Sequence, residues 1–153
     1  MTAPRLISVV IPVYDERDSL EQLVNELLPV MRTVGTPHEV IFIDDGSRDG
    51  SDVVLAGLAA LHEQIRVIKM RSNFGKGPAL TAGFTEAEGD VIITLDADLQ
   101  NPPEEIGNLL AAMDAGHDYV GSIRRQRPSG ATKRAAVWAL RGSSSRIRSA
   151  IMR

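Results

Sequence analysis

The chain has 153 residues, 43% hydrophobic and 24% charged, which suits one soluble domain with a core of its own. The absence of cysteine excludes a disulfide framework and a thiolate metal centre, and no apolar run reaches the ~18 residues of a membrane-crossing helix. The net charge of -3 hides an asymmetry: residues 1–118 hold all 20 acids and only eight Lys/Arg, whereas nine cations and no acid follow.

Residues 6–13 (LISVVIPV) form a continuous apolar run, as expected of a strand buried on both faces of a parallel sheet. Residues 16–34 have helical spacing, with Leu20, Leu23, Val24, Leu27 and Leu28 on one face. Asp18 or Ser19 is the expected cap, and Pro29 is expected to kink or end the helix. EVIFID (39–44) reads as a second buried strand, followed by the turn-rich DDGSRDGS, a helix over 51–64 and a third strand over 65–70. The glycine-rich RSNFGKGPAL (71–80) leads into a helix ending near Ala87, and residues 91–95 form a fourth strand. A helix over 102–115 opens on proline, where the missing N–H costs nothing, and 119–123 is a short fifth strand.

Strands alternating with helices predict an α/β fold with a mostly parallel sheet. In such sheets ligands bind outside the carboxyl ends of the strands. The polar residues after each strand should therefore converge: Tyr14, Asp15 and Glu16; Asp44 and Asp45; residues 71–77; Asp96, Asp98 and Gln100; Arg124 and Arg125. Carboxylates, an amide and guanidinium groups at one edge suit a divalent metal and a polyphosphate.

The stretch DVIITLDADLQNPPEE (90–105) is the most informative. Alternate residues leaving a strand point the same way, so Asp96 and Asp98 could face one cation. Hard oxygen ligands match Mg²⁺ or Mn²⁺. The same two acids also read as turn and capping residues before Pro-Pro. NFGKGP lacks the spacing of a phosphate loop of the G-x-x-x-x-G-K-[ST] type. DGSRDG begins like a calcium loop, but Ala56 stands where the bidentate carboxylate belongs.

VIPVYDE (10–16), IDDGSRDGS (43–51), RSNFGKGPALTAGF (71–84) and TLDADLQNPPEE (94–105) follow the order and spacing of the family-two glycosyltransferases of GT-A fold. The chain resembles most the polyprenyl-phosphate glycosyltransferases, over about residues 6–125. The resemblance implies a GT-A-like, Rossmann-like sheet flanked by helices, and an inverting transfer of sugar from a UDP- or GDP-sugar to an acceptor, a polyprenyl phosphate. It implies a metal, Mg²⁺ or Mn²⁺, and no nucleic-acid partner. Pro12, Tyr14, Glu16, Ile43 and Ala97 are similar to the family's nucleotide-contacting residues, and Asp45 to the acid that reads the base, with Asp44 structural. Asp96 resembles the acid on the ribose or sugar-phosphate side. Asp98 and Gln100, with Asp96 beside them, resemble the metal ligands, and Asp96 and Asp98 are the implied catalytic pair. Arg124 is similar to the arginine near the diphosphate or acceptor phosphate. The family usually has Asn where this chain has Asp15.

The family's domain normally continues further, so residues 1–125 are expected to be the nucleotide-sugar-binding part and 126–153 a basic start of an incomplete acceptor-side half. An inactive nucleotide-binding or interaction module is the alternative. No signal peptide is visible, and a cytoplasmic protein is expected. Residues 133–141 suit a short amphipathic helix with Trp138 at an anionic membrane surface. A nucleotidyltransferase would need a glycine-rich triphosphate loop after the first strand, and IPVYDERDSL has no glycine. His38, His62 and His117 are expected at the surface, without a catalytic role.

Overall fold

Seven residues with almost no polar atoms, Ile7–Val13, form β1 at the middle of a six-stranded sheet. The computed structural model describes residues 5–121 and 138–141. In chain order the elements are β1, α1 (Arg17–Val34), β2 (His38–Asp44), α2 (Ser51–Leu61), β3 (Ile65–Lys69), α3 (Lys76–Glu86), β4 (Val91–Thr94), α4 (Glu105–Asp114), β5 (Tyr119–Gly121) and β6 (Trp138–Arg141). The sheet order is β3-β2-β1-β4-β6-β5, with β1, β2, β3 and β4 parallel and β6 antiparallel to both its neighbours.

Alternation along β1 divides the core. Val9, Ile11 and Val13 pack with the buried residues of α1, α2 and α4, including Leu20, Leu23, Leu27, Leu55 and Ile106. Val10 points to the other face, where Ile41, Ile43 and Ile92 meet Ala79 and Phe84 of α3. A parallel sheet covered on both faces needs strands that are apolar throughout, which is why β1 and β2 carry unbroken runs rather than alternating ones. Gly83 lets α3 approach, since a Cβ there would lie 2.4 Å from Val10 Cγ1 and 2.7 Å from Ile43 Cδ1.

Three expectations are corrected. First, α1 is not capped by Asp18 or Ser19. Glu16 stands at its N-cap without a side-chain capping bond, and the Arg17 N–H is taken instead by Asp49 Oδ2 at 3.0 Å, from a loop 32 residues away. Second, Pro29 does not end α1, which runs on to Val34 and stops at Gly35 in the left-handed region, φ 72°. The amphipathic face, buried from Leu20 to Met31, carries the helix past its one missing N–H. Third, Trp138–Arg141 is a strand and not the end of a helix over 133–141. It pairs residue for residue with β4, from Val91↔Arg141 to Thr94↔Trp138, and its other edge takes β5. Filling both sides with ladder hydrogen bonds outweighs a helical pattern in so short a segment. The rest of that expected helix lies outside the described residues.

No helix among the described residues is long and apolar enough to cross a membrane.

Candidate functional site

The chain leaves β1 for β2 and then β3 in one direction, and returns to place β4 on the opposite side of β1. The strand order thus reverses between β1 and β4, and a crevice opens beyond their carboxyl ends. A cleft of about 260 Å³ lies there, lined by Pro12, Val13, Tyr14, Glu16, Asp45, Lys76, Asp96, Ala97 and Asp98. Seven of the ten expected site residues are in this lining: Pro12, Tyr14, Glu16, Asp45, Asp96, Ala97 and Asp98. Gln100 is just beyond it, and its N–H donates to Asp98 Oδ1 at 3.1 Å. Ile43 is fully buried in the core beneath α3, paired in the sheet between β1 and β3, and does not line the cleft. Arg124 lies outside the described residues, as does Arg125.

Two loops build one wall. After β1, Asp15 takes the left-handed conformation, φ 51°, which Asp and Asn tolerate better than most residues. Its N–H donates to Ser47 Oγ at 3.0 Å, and its Oδ1 accepts from the Arg48 N–H at 2.7 Å. The next N–H, of Glu16, donates to Ser51 Oγ at 3.1 Å, and Ser51 Oγ donates to Asp49 Oδ1 at 2.6 Å. Desolvation opposes ionisation of Asp49, but the Ser51 hydroxyl and the N–H groups of Arg17 and Ser51 outweigh it and hold the carboxyl below its usual range. The β1–α1 and β2–α2 loops are thereby stitched into one unit.

Asp45 is 4% exposed and holds the next loop. Its Oδ1 accepts from the Phe74 N–H and its Oδ2 from the Gly75 N–H, both at 2.9 Å. Each carboxylate oxygen keeps a second lone pair, so Asp45 still has acceptor capacity towards the cleft. Asp44 is equally buried and accepts from the Ser47 N–H at 2.9 Å, the turn role expected of it.

The opposite wall follows β4. Ser19 Oγ donates to the Ala97 carbonyl at 2.7 Å and ties the first turn of α1 to the D-x-D segment. Leu99 sits at φ 60°, unusual for a residue of its shape, and this reverses the chain between Asp98 and Gln100. Asp96 is half-buried and Asp98 exposed. Burial holds the Glu16 carboxyl above the ordinary carboxylate range; the Ser19 hydroxyl partly offsets this, and the charges of Asp98, Asp49 and Asp15 add to the rise.

Lys76 falls within residues 71–77, which are expected at this edge, but the sequence pattern assigns it no role of its own and does not single out Val13. Lys76 Nζ forms an ion pair with Asp96 Oδ1 and is the one cation of the cleft lining among the described residues, against the four acids Glu16, Asp45, Asp96 and Asp98. Its signal was the lysine of NFGKGP, legible only as a failed phosphate loop. The three histidines lie elsewhere: His38 opens β2, His62 follows α2 and His117 follows α4, all at the edge where strands begin.

The family model for glycosyl transferase family 2 matches residues 8–151. The chain belongs to this family. Among curated family members, it is 46% identical over 129 residues to an undecaprenyl-phosphate 4-deoxy-4-formamido-L-arabinose transferase of Shewanella sediminis, covering 84% of this chain and 39% of that protein. It is 48% identical over 122 residues to the protein of the same name from Pectobacterium atrosepticum, covering 79% and 37%. The chain thus spans about two fifths of the length of these relatives. Glucosyl-3-phosphoglycerate synthase of Mycobacterium tuberculosis, solved with UDP, superposes with a TM-score of 0.69 at 24% identity over 92% of this chain and 57% of that one. A mannosyltransferase of Pyrobaculum calidifontis, solved with GDP-Man and Mn²⁺, gives 0.67 at 22% identity over 81% and 37%. The fold is that of the GT-A glycosyltransferases.

Proposed function

We propose that residues 1–125 are the nucleotide-sugar-binding part of an inverting glycosyltransferase that moves a sugar from a UDP- or GDP-sugar to a polyprenyl phosphate, with 126–153 beginning the acceptor side. The observation that carries this reading is the gathering of Glu16, Asp45, Asp96 and Asp98 around one cleft at the switch point of the sheet. The names of the family-two relatives, which specify an undecaprenyl phosphate, support the lipid phosphate as acceptor. The solved neighbours that hold UDP, or GDP-Man with Mn²⁺, support the donor and the metal.

The donor set fits a hard cation. Asp98 is exposed at the cleft, Asp96 stands two residues before it and the Gln100 amide two after. Among the described residues no group of three or more His, Cys, Asp or Glu is placed to hold a metal, so phosphate oxygens and water would have to complete the shell. Asp98 and Gln100, with Asp96, would hold Mg²⁺ or Mn²⁺, and the bound ion would neutralise charge on the departing diphosphate.

The chain's own residues do the rest. Tyr14, 42% exposed at the cleft, offers a ring face to a nucleobase, and Asp45 offers its remaining lone pairs to a base N–H. In this reading Asp96 serves the ribose or sugar-phosphate, and the resemblance assigns Arg124 to the diphosphate or acceptor phosphate. A lipid phosphate is already ionised at neutral pH, so its oxygen can attack the anomeric carbon without a general base. The nine cations after Asp118 suit the cytoplasmic face of an anionic membrane, where such a substrate resides.

Calorimetry tests the donor site. UDP or GDP should bind in the presence of Mn²⁺ and lose most of its affinity on chelation. No binding of either under any condition would contradict the reading. Sedimentation with anionic and neutral vesicles tests the tail: binding should be confined to anionic vesicles, weaken with salt and fall when Arg146, Arg148 and Arg153 are replaced by Gln, which leaves β6 in place.

A further inference from the structure

The cleft has a cation of its own, and its placement is costly. Lys76 is the first residue of α3, where unpaired N–H groups already make the helix end positive and a lysine is unfavourable. The first turn of α3 holds no acid. The anion that this end needs is supplied from elsewhere, by Asp45 on the N–H groups of Phe74 and Gly75. Gly75, at φ 99°, turns the chain into the helix, and Gly46 packs against the backbone of Ser72 and Asn73. The backbone that carries Lys76 is therefore fixed on two sides, while its side chain is 60% exposed and flexible.

We propose that Lys76 is a binding residue for the donor's diphosphate, parked on Asp96 until metal and nucleotide arrive. The proposal rests on the donor-site reading above. With four acids and one lysine, the lining has a formal charge of -3, and a diphosphate is repelled from it. A divalent ion held by Asp96 and Asp98 would bring this to -1 and would compete with Lys76 for Asp96. Lys76, freed of that partner, would remain at the cleft lining as a cation for an anionic diphosphate. Its present partner is easily given up, because an ion pair this exposed to solvent has little net worth. A four-carbon stem on a fixed backbone suits a side chain that must exchange one oxygen for another.

This exchange has a signature of two opposite signs. Lys76→Met removes the ion that competes for Asp96, so Mn²⁺ alone should bind about threefold more tightly. With Mn²⁺ saturating, the same variant should bind UDP or GDP about tenfold more weakly, having lost one charge-assisted contact. Lys76→Arg should restore nucleotide affinity to within about threefold of the wild type. Calorimetry on the three proteins reads all of these values, and circular dichroism checks folding. A rise in both affinities would make Lys76 a mere competitor and overturn the proposal. A fall in both would make it structural, and no change in either would make it a solvated surface pair; each also overturns it. Wild-type protein that binds no nucleoside diphosphate with Mn²⁺ would instead contradict the donor site itself.

Discussion

Gly46 touches the backbone of Asn73 so closely that a Cβ on Gly46 would lie 2.7 Å from the Asn73 nitrogen. Gly46 also has φ 76°, where an L side chain is strained. The loop after β2 and the loop before α3 are thus in contact at a point where neither can give. Gly46→Ala should cost about 2 kcal/mol or more, from the left-handed backbone and the clash together. Denaturant unfolding would measure this. The variant should also bind UDP or GDP more weakly, because displacing residues 72–73 pulls the Phe74 and Gly75 N–H groups off Asp45. Full nucleotide affinity in a folded Gly46→Ala protein would show that this contact does not set the position of Asp45.

Two other glycines separate packing from conformation. A methyl at Gly83 would press on Val10 and Ile43, so Gly83→Ala should destabilise by about 1–3 kcal/mol. Gly57 is exposed on α2, and a methyl added there would have nothing within 4 Å, so Gly57→Ala should stabilise by about 0.5–1 kcal/mol. Thermal unfolding of the two variants should shift Tm in opposite directions.

Glu16 and Asp49 should respond to pH with opposite signs. The Glu16 carboxyl is raised, so its stabilising contribution is complete below the unfolded value and is lost as pH rises through the folded one. Glu16→Gln should therefore match the wild type below about pH 4 and be the more stable protein near neutrality. The Asp49 carboxyl is lowered, so its contribution is present above the unfolded value and lost as pH falls through the folded one. Asp49→Asn should be less stable at pH 7 by about 1 kcal/mol, with the gap closing in acid. Urea titrations at several pH values read both, and a parallel pH response of the two variants would contradict the assignment.

The central strands were legible because burial on both faces demands unbroken apolar runs, and Ile7–Val13 and His38–Asp44 largely comply. The cleft was legible because polar residues just after parallel strands must meet at one edge, as Glu16, Asp45, Asp96 and Asp98 do. Trp138–Arg141 was not, because its apolar spacing also fits a helix and its partner β4 lies more than 40 residues earlier. The cap on Arg17 and the hold of Asp45 on Phe74 and Gly75 depend on contacts between distant loops that no local pattern encodes. Lys76 is of the same kind: its meaning comes from the position of the start of α3 relative to Asp96.

Asp98 bears most directly on the claim that this cleft binds a nucleotide sugar through a metal. Calorimetry of UDP and GDP with Mn²⁺, on the wild type and on Asp98→Asn, would decide it. Removing one charged ligand should weaken nucleotide binding by about tenfold, or ~1.4 kcal/mol, and chelation should abolish the difference between the two proteins. Equal affinity of the two proteins in Mn²⁺, or wild-type affinity unaffected by chelator, would contradict the metal-bridged site.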